Sequence, residues 1–259
     1  MGIAGDQPGA LDIWVRQFAR GVTSRLTFDP AIEAWPIWSP GGDRVAYSSN
    51  RTGEFRTYLV PVGGAGGTDS LAHAAGGAEG PSDWSRDGRF IATMRLDPVM
   101  GWDVWVQPAA GEPATAPFLG TKFGERNAHF SPDGRWIAYS SDESGRPEIY
   151  VQPFPGPGRK WQVSAAGGRQ PFWREDGKEL FYRAPDQSIV AVPVEAGSTF
   201  EVGVPAFLFK APLAVAGIVR NRWQPAADGQ RFLLNVPMDG AGAARLAVIM
   251  NWTSALARK

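Results

Sequence analysis

Carboxylates and histidines are the side chains of this chain that could do chemistry, and they recur at fixed places. Asp87, Asp133, Asp176 and Asp228 each stand directly before a glycine. Nine residues ahead of Gly42, Gly88, Gly134, Gly177 and Gly229 stand Glu33, Glu79, Glu125, Gly168 and Arg220, and the following position adds Arg126 and Arg169. Carboxylates so arranged suit acid–base work or a hard cation such as calcium, whereas guanidinium groups suit anions. The only histidines are His73 and His129. No H-E-x-x-H pattern joins them, so a histidine-ligated zinc site is not indicated. No G-x-S-x-G elbow is present, and a triad would have to be assembled around His129 from separate repeats. We therefore expect no hydrolase activity, no cofactor and a non-catalytic chain; calcium held by the three glutamates is the one metal alternative.

Composition narrows the function classes further. With 26 basic and 26 acidic residues the chain has no overall field to draw in nucleic acid or an anionic membrane, and no local basic run supplies one. The absence of cysteine removes disulfides, thiolate nucleophiles and cysteine-ligated zinc. No stretch resembles a signal peptide or a transmembrane span, and Asp6 stands where a myristoylation motif needs Ser or Thr. The sequence reads as a soluble protein, cytoplasmic as it stands and periplasmic as part of a longer precursor.

The elements that must position these side chains follow from a repeat. "PIWSPGG", "SDWSRDG", "AHFSPDG", "PFWREDG" and "WQPAADG" end at glycines spaced 46, 46, 43 and 52 residues apart, a period typical of four-stranded propeller blades. Segments such as "RWIAYSS" alternate apolar and polar residues, and none shows a helical period, so less than about a tenth of the chain should be helical. In each unit an inner strand ends at the Asp-Gly turn and a second strand follows (Val45–Ser49, Phe90–Arg95, Trp136–Ser141, Leu180–Arg183, Phe232–Val236). A third strand carries Trp14, Tyr58, Trp105 or Tyr150, and a polar outer strand closes most units. The preceding aspartates suit the turn itself, and the aromatic columns suit packing between blades.

"WSPGGDRVAYSSNRTG", "FSPDGRWIAYSSDESGRPEIYVQPFPG" and "WREDGKELFY" resemble the WD40-like (PD40) repeats of the TolB family of β-propellers, as found at the C-terminus of bacterial multidomain kinase or winged-helix proteins. The resemblance runs from Asp12 to Trp252 and implies an interaction or sensory module without defining catalytic residues. The expected fold is all-β, a single propeller domain over residues 1–259 with four-stranded antiparallel blades. Four complete blades (36–74, 82–119, 128–165 and 171–209) lie between partial ones at 12–28 and 223–252. The count fits a five- or six-bladed ring or, by a slight preference, a fragment of a larger ring.

On this reading the column of Glu33, Glu79, Glu125, Arg126, Arg169 and Arg220 falls in the loops entering each inner strand. It lines the channel mouth together with the inner-strand residue His129. It would bind a protein, a peptide or a small polar ligand. Solvated glutamates there should tolerate joint replacement by glutamine without loss of fold. The alternatives are the propeller portion of a larger enzyme or signalling protein, such as a peptidase gate or kinase-linked sensor, and a carbohydrate-binding or -cleaving propeller.

Overall fold

The computed structural model describes residues 2–4, 11–63, 67–71, 77–112, 114, 116–156, 158–211, 213, 222–237 and 244–250. For 2–4, 237 and 244–250 only the backbone is described. Every regular element among these residues is a β-strand, and the chain divides into two compact units, Met1–Lys122 and Phe123–Lys259.

In the first unit, β1 (Gly2–Ala4), β2 (Asp12–Gln17) and β3 (Val22–Arg25) form one antiparallel sheet. A four-stranded meander follows: β4 (Glu33–Trp38), β5 (Arg44–Ser49), β6 (Arg56–Pro61) and β7 (Asp69–Ser70). Then come β8 (Glu79–Trp84), β9 (Phe90–Asp97) and β10 (Gly101–Pro108), with Leu119 bridging to Val104 in place of a full outer strand. The short pairing of β1 with β2 was not anticipated.

The second unit contains β11 (Glu125–Phe130), β12 (Trp136–Ser141), β13 (Glu148–Pro153) and β14 (Trp161–Gln162) as a second meander. The next sheet has β15 (Arg169–Trp173), β16 (Glu179–Arg183), β17 (Ser188–Ala196), β18 (Phe200–Val202) and β19 (Ala206–Lys210). Both β18 and β19 pair with the long β17, and the extra β18 was likewise not foreseen. The last sheet is β20 (Trp223–Pro225), β21 (Arg231–Pro237) and β22 (Ala244–Met250).

Alternation along the second strands explains the packing. Val45 and Tyr47 join Ile13 in one cluster, while the intervening Ala46 joins Ile91 in another, so the central sheet of the first unit buries both faces. In the second unit Leu180 and Tyr182 pack on Trp136 and Ile149, whereas Phe181 packs on Trp223 and Phe232. A sheet sandwiched this way cannot stand alone, which is the logic of stacked blades.

The repeated turn is built identically five times. The amides of Gly42, Gly88, Gly134, Gly177 and Gly229 each donate to the carbonyl three residues earlier at 2.9 Å, with φ between 67° and 76°. Glycine adopts that backbone at no steric cost. Asp87 accepts from Ser85 Oγ at 2.7 Å and from the Arg89 amide at 3.0 Å, and Asp133 repeats both contacts with Ser131 and Arg135. In the first turn Asp43, after the glycine, takes the bond from Ser39 Oγ. These aspartates therefore hold turns.

That role carries a pH signature. The hydrogen bond from Ser85 Oγ pulls the Asp87 carboxyl down to about 2, and the guanidinium of Arg174 lowers Asp176. A carboxyl depressed by folding contributes stability above its unfolded value, near 4, and loses it as pH falls through the folded value. The thermal midpoint should thus decline on acidification from pH ~4 towards ~2. An Asp87→Asn/Asp133→Asn variant, less stable at neutral pH, should show a shallower acid decline in a series of thermal melts.

Candidate functional site

The inner strands β4, β8 and β11 begin three residues earlier than the repeat pattern indicates, and β15 begins two earlier. Trp35, Asn127 and Gln170 have φ of 55°, 54° and 55°, and register shifts between Ala34 and Ile37, Arg126 and His129, and Arg169 and Phe172 mark the bulges. A bulge inserts an unpaired residue and breaks the two-residue alternation, hiding the strand that precedes it. Glu33, Glu79 and Glu125 are therefore strand residues opening β4, β8 and β11 rather than loop residues.

They are also buried, with relative exposures of 0%, 0% and 1%. Glu33 Oε1 accepts from Arg51 at 2.5 Å, and Thr27 is a further polar neighbour. Burial raises the Glu33 carboxyl above its ordinary value, with hydrogen bonding to Thr27 and the charge of Arg51 opposing. Glu79 fastens its sheet to the preceding one: its side chain accepts from Thr57 Oγ1 at 2.9 Å, its carbonyl from Ser48 Oγ at 2.6 Å, and its amide donates to the Phe55 carbonyl. Ser141 Oγ lies 3.5 Å from Glu125 Oε1.

The same junction explains why the acid column stops at Gly168. A Cβ there would lie 2.7 Å from Ile149 Cγ1 and 2.8 Å from Ser164 Oγ, so no side chain fits. The carboxylate comes instead from Glu148 on β13, which accepts from Ser164 Oγ, from the Gly167 amide at 2.9 Å and from Arg146 at 2.8 Å. The expectation that these glutamates are solvated loop residues is thereby corrected, because all three are buried strand residues. Among the described residues no group of three His, Asp or Glu side chains is placed to hold a metal ion.

The basic members of the column behave differently. Arg126 on β11 and Arg169 on β15 are exposed, and these two inner strands pack beside each other. Arg126 is exposed overall, yet partial desolvation of its guanidinium, then the charge of Arg169, weakens it as a base, with Asp142 opposing. Arg183, directly across from Arg169 in the β15–β16 register, is half-buried, and its Nε is buried without a hydrogen-bond partner. Burial lowers Arg183, and the charges of Arg222 and then Arg169 lower it further. Arg222 sits at the entry to β20, where its carbonyl accepts from the Asn235 amide at 2.7 Å.

Arg183 and Arg222 were not identified from the sequence. A signal for Arg183 exists: aligned on their turns, the second strands carry Ser48, Met94, Ser140, Arg183 and Asn235 at one position, and arginine is the outlier. His129 does not belong with the strand-end arginines. It is buried at 7% exposure beyond the bulge, its ring centroid 4.4 Å from that of Phe172, and its carbonyl accepts from Trp173 Nε1. Arg220 and His73 lie outside the described residues.

The strand pattern and the comparisons agree on the class, an all-β propeller. TolB from Acinetobacter baumannii superimposes with a TM-score of 0.68 at 17% identity, over 93% of this chain and 57% of that one. An oligogalacturonate lyase solved in complex with manganese gives 0.62 at 13% identity, over 95% and 69%. An uncharacterized protein of Agrobacterium fabrum is 27% identical over 176 residues, 62% of this chain and 58% of the relative. The chain thus spans less than two thirds of that relative and of the TolB. No family model matches. No helix among the described residues is long and apolar enough to cross a membrane.

Proposed function

We propose that the chain is a non-catalytic propeller module of the TolB-like type that holds a protein or peptide at the basic ends of the inner strands in its second unit. The observation carrying this reading is the contrast within one column. Glu33, Glu79 and Glu125 are buried, whereas Arg126 and Arg169 stand exposed on neighbouring strands. Exposed guanidinium groups on a rigid sheet are pre-organised for recognition, since little side-chain order must be gained on binding.

Capture from the source organism's lysate tests the site. Wild type should retain a partner that Arg126→Ala/Arg169→Ala loses, while Arg89→Ala, which alters an exposed turn residue of the other unit, retains it. Equal capture by all three proteins would rule out these strand ends.

A further inference from the structure

We infer that Arg126, Arg169, Arg183 and Arg222 form one oxyanion site that takes clustered carboxylates, as presented by an acidic peptide. The inference rests on the binding reading above and names its ligand chemistry. Arg126 and Arg169 occupy equivalent positions on packed inner strands, each one residue before the positive-φ bulge residue. Arg183 faces Arg169 across the β15–β16 ladder, and Arg222 enters the next sheet. Three successive sheets thus contribute guanidinium groups to one end of their strands.

Charge makes the grouping informative. In a chain whose charges balance overall, four guanidinium groups stand near one end of these strands. Their mutual influence runs in sequence, Arg126 with Arg169, Arg169 with Arg183, and Arg183 with Arg222. The charge of Asp142 opposes that influence at Arg126, and Asp142 also accepts from the Gly124 amide at 2.9 Å. Like charges held close in a partly buried setting repel, and a bound anion converts that repulsion into attraction. Arg183 Nε is buried without a hydrogen-bond partner, a donor that an acceptor would satisfy. Guanidinium forks match carboxylate geometry through paired hydrogen bonds, and a spread over three sheets suits several carboxylates rather than one. Nucleic acid is less well served, because the nearby rings of Phe172, Tyr182 and Trp223 are 7%, 6% and 1% exposed and offer no stacking face.

Calorimetric titration of the full chain at low salt, with hexaglutamate, hexaglutamine, citrate and a hexathymidylate as probes, tests this. Hexaglutamate should bind and hexaglutamine should not. Arg183→Gln and Arg222→Gln should each weaken hexaglutamate by about tenfold, with an intermediate loss for Arg183→Lys, which keeps the charge but not the fork. Circular dichroism melts identify any variant that fails to fold, and Arg222→Gln, at a half-buried position ahead of β20, keeps the test open if Arg183→Gln does. Citrate matching hexaglutamate would support the site with a free polycarboxylate as the source; citrate much weaker than hexaglutamate would support it with a peptide as the source. Hexaglutamate binding no better than hexaglutamine, unchanged affinity in folded Arg222→Gln, or tighter binding of hexathymidylate would overturn the inference. If hexaglutamate fails while Arg126→Ala/Arg169→Ala still abolishes partner capture, the ligand class is wrong and the site stands. If capture survives that double variant, the site itself is wrong.

Discussion

Replacing Glu33 with alanine should lower the unfolding free energy by about 3 kcal/mol, the lower end of what is measured when one member of a buried ion pair is removed. Glu33 is fully buried, while its partner Arg51 retains 21% side-chain exposure, which places the loss at that lower end. Arg51 also donates to Tyr47 Oη at 2.6 Å and lies 4.4 Å from the centroid of the Tyr58 ring. Losing the carboxylate therefore unsettles a network that spans β4, β5, β6 and the loop after β5. Asp29, 3.8 Å from Arg51 Nε, offers partial compensation. Glu33→Gln keeps the shape and one acceptor and should cost less. Burial raises the Glu33 carboxyl while Thr27 and Arg51 oppose the rise, so ionising it costs stability as pH climbs from the unfolded to the folded value, opposite in sign to the turn aspartates, and the pair with Arg51 holds that cost down. Urea denaturation of wild type and both variants measures the order; an alanine variant as stable as wild type would remove the fastening role.

Phe181→Ala should be more damaging, by about 3–5 kcal/mol, the range for deleting a large aromatic from a packed core. Phe181 is fully buried, and its ring meets Phe232 edge to face at 5.4 Å between centroids. It belongs to the cluster that also holds Phe172, Trp223 and Leu234, joining the β15–β19 sheet to the β20–β22 sheet. The neighbouring Leu180 and Tyr182 face the opposite cluster and cannot turn to fill the space. Phe181→Leu should recover part of the loss. A change below about 1 kcal/mol in denaturant unfolding would mean that the last sheet does not pack as described.

Much of this architecture was legible because it is local. The turn glycines, the aspartates before them and the second strands follow from spacing and alternation, which place a strand at Trp136–Ser141, matching β12 to the residue. What stayed hidden depends on contacts remote in sequence. The register shifts after Ala34, Pro81 and Arg126 disguised the first residues of β4, β8 and β11, so buried glutamates passed for loop residues. Gly168 looked like a gap in a charge column, yet Ile149 and Ser164 occupy its space and Glu148 takes over the carboxylate role. Arg126 and Arg169 could be singled out from the repeat column; Arg183 comes opposite Arg169 only through the β15–β16 register, and Arg222 falls at the entry to β20, outside that column.

The basic strand ends are the centre of this account, and affinity for the purified captured partner tests them most directly. Isotherms for wild type and Arg126→Ala/Arg169→Ala, recorded at low and high salt on proteins with matching melts, should differ by at least about tenfold at low salt. The gap should narrow as salt screens the exposed guanidinium groups. Equal affinities at low salt, with both proteins folded, would contradict the account.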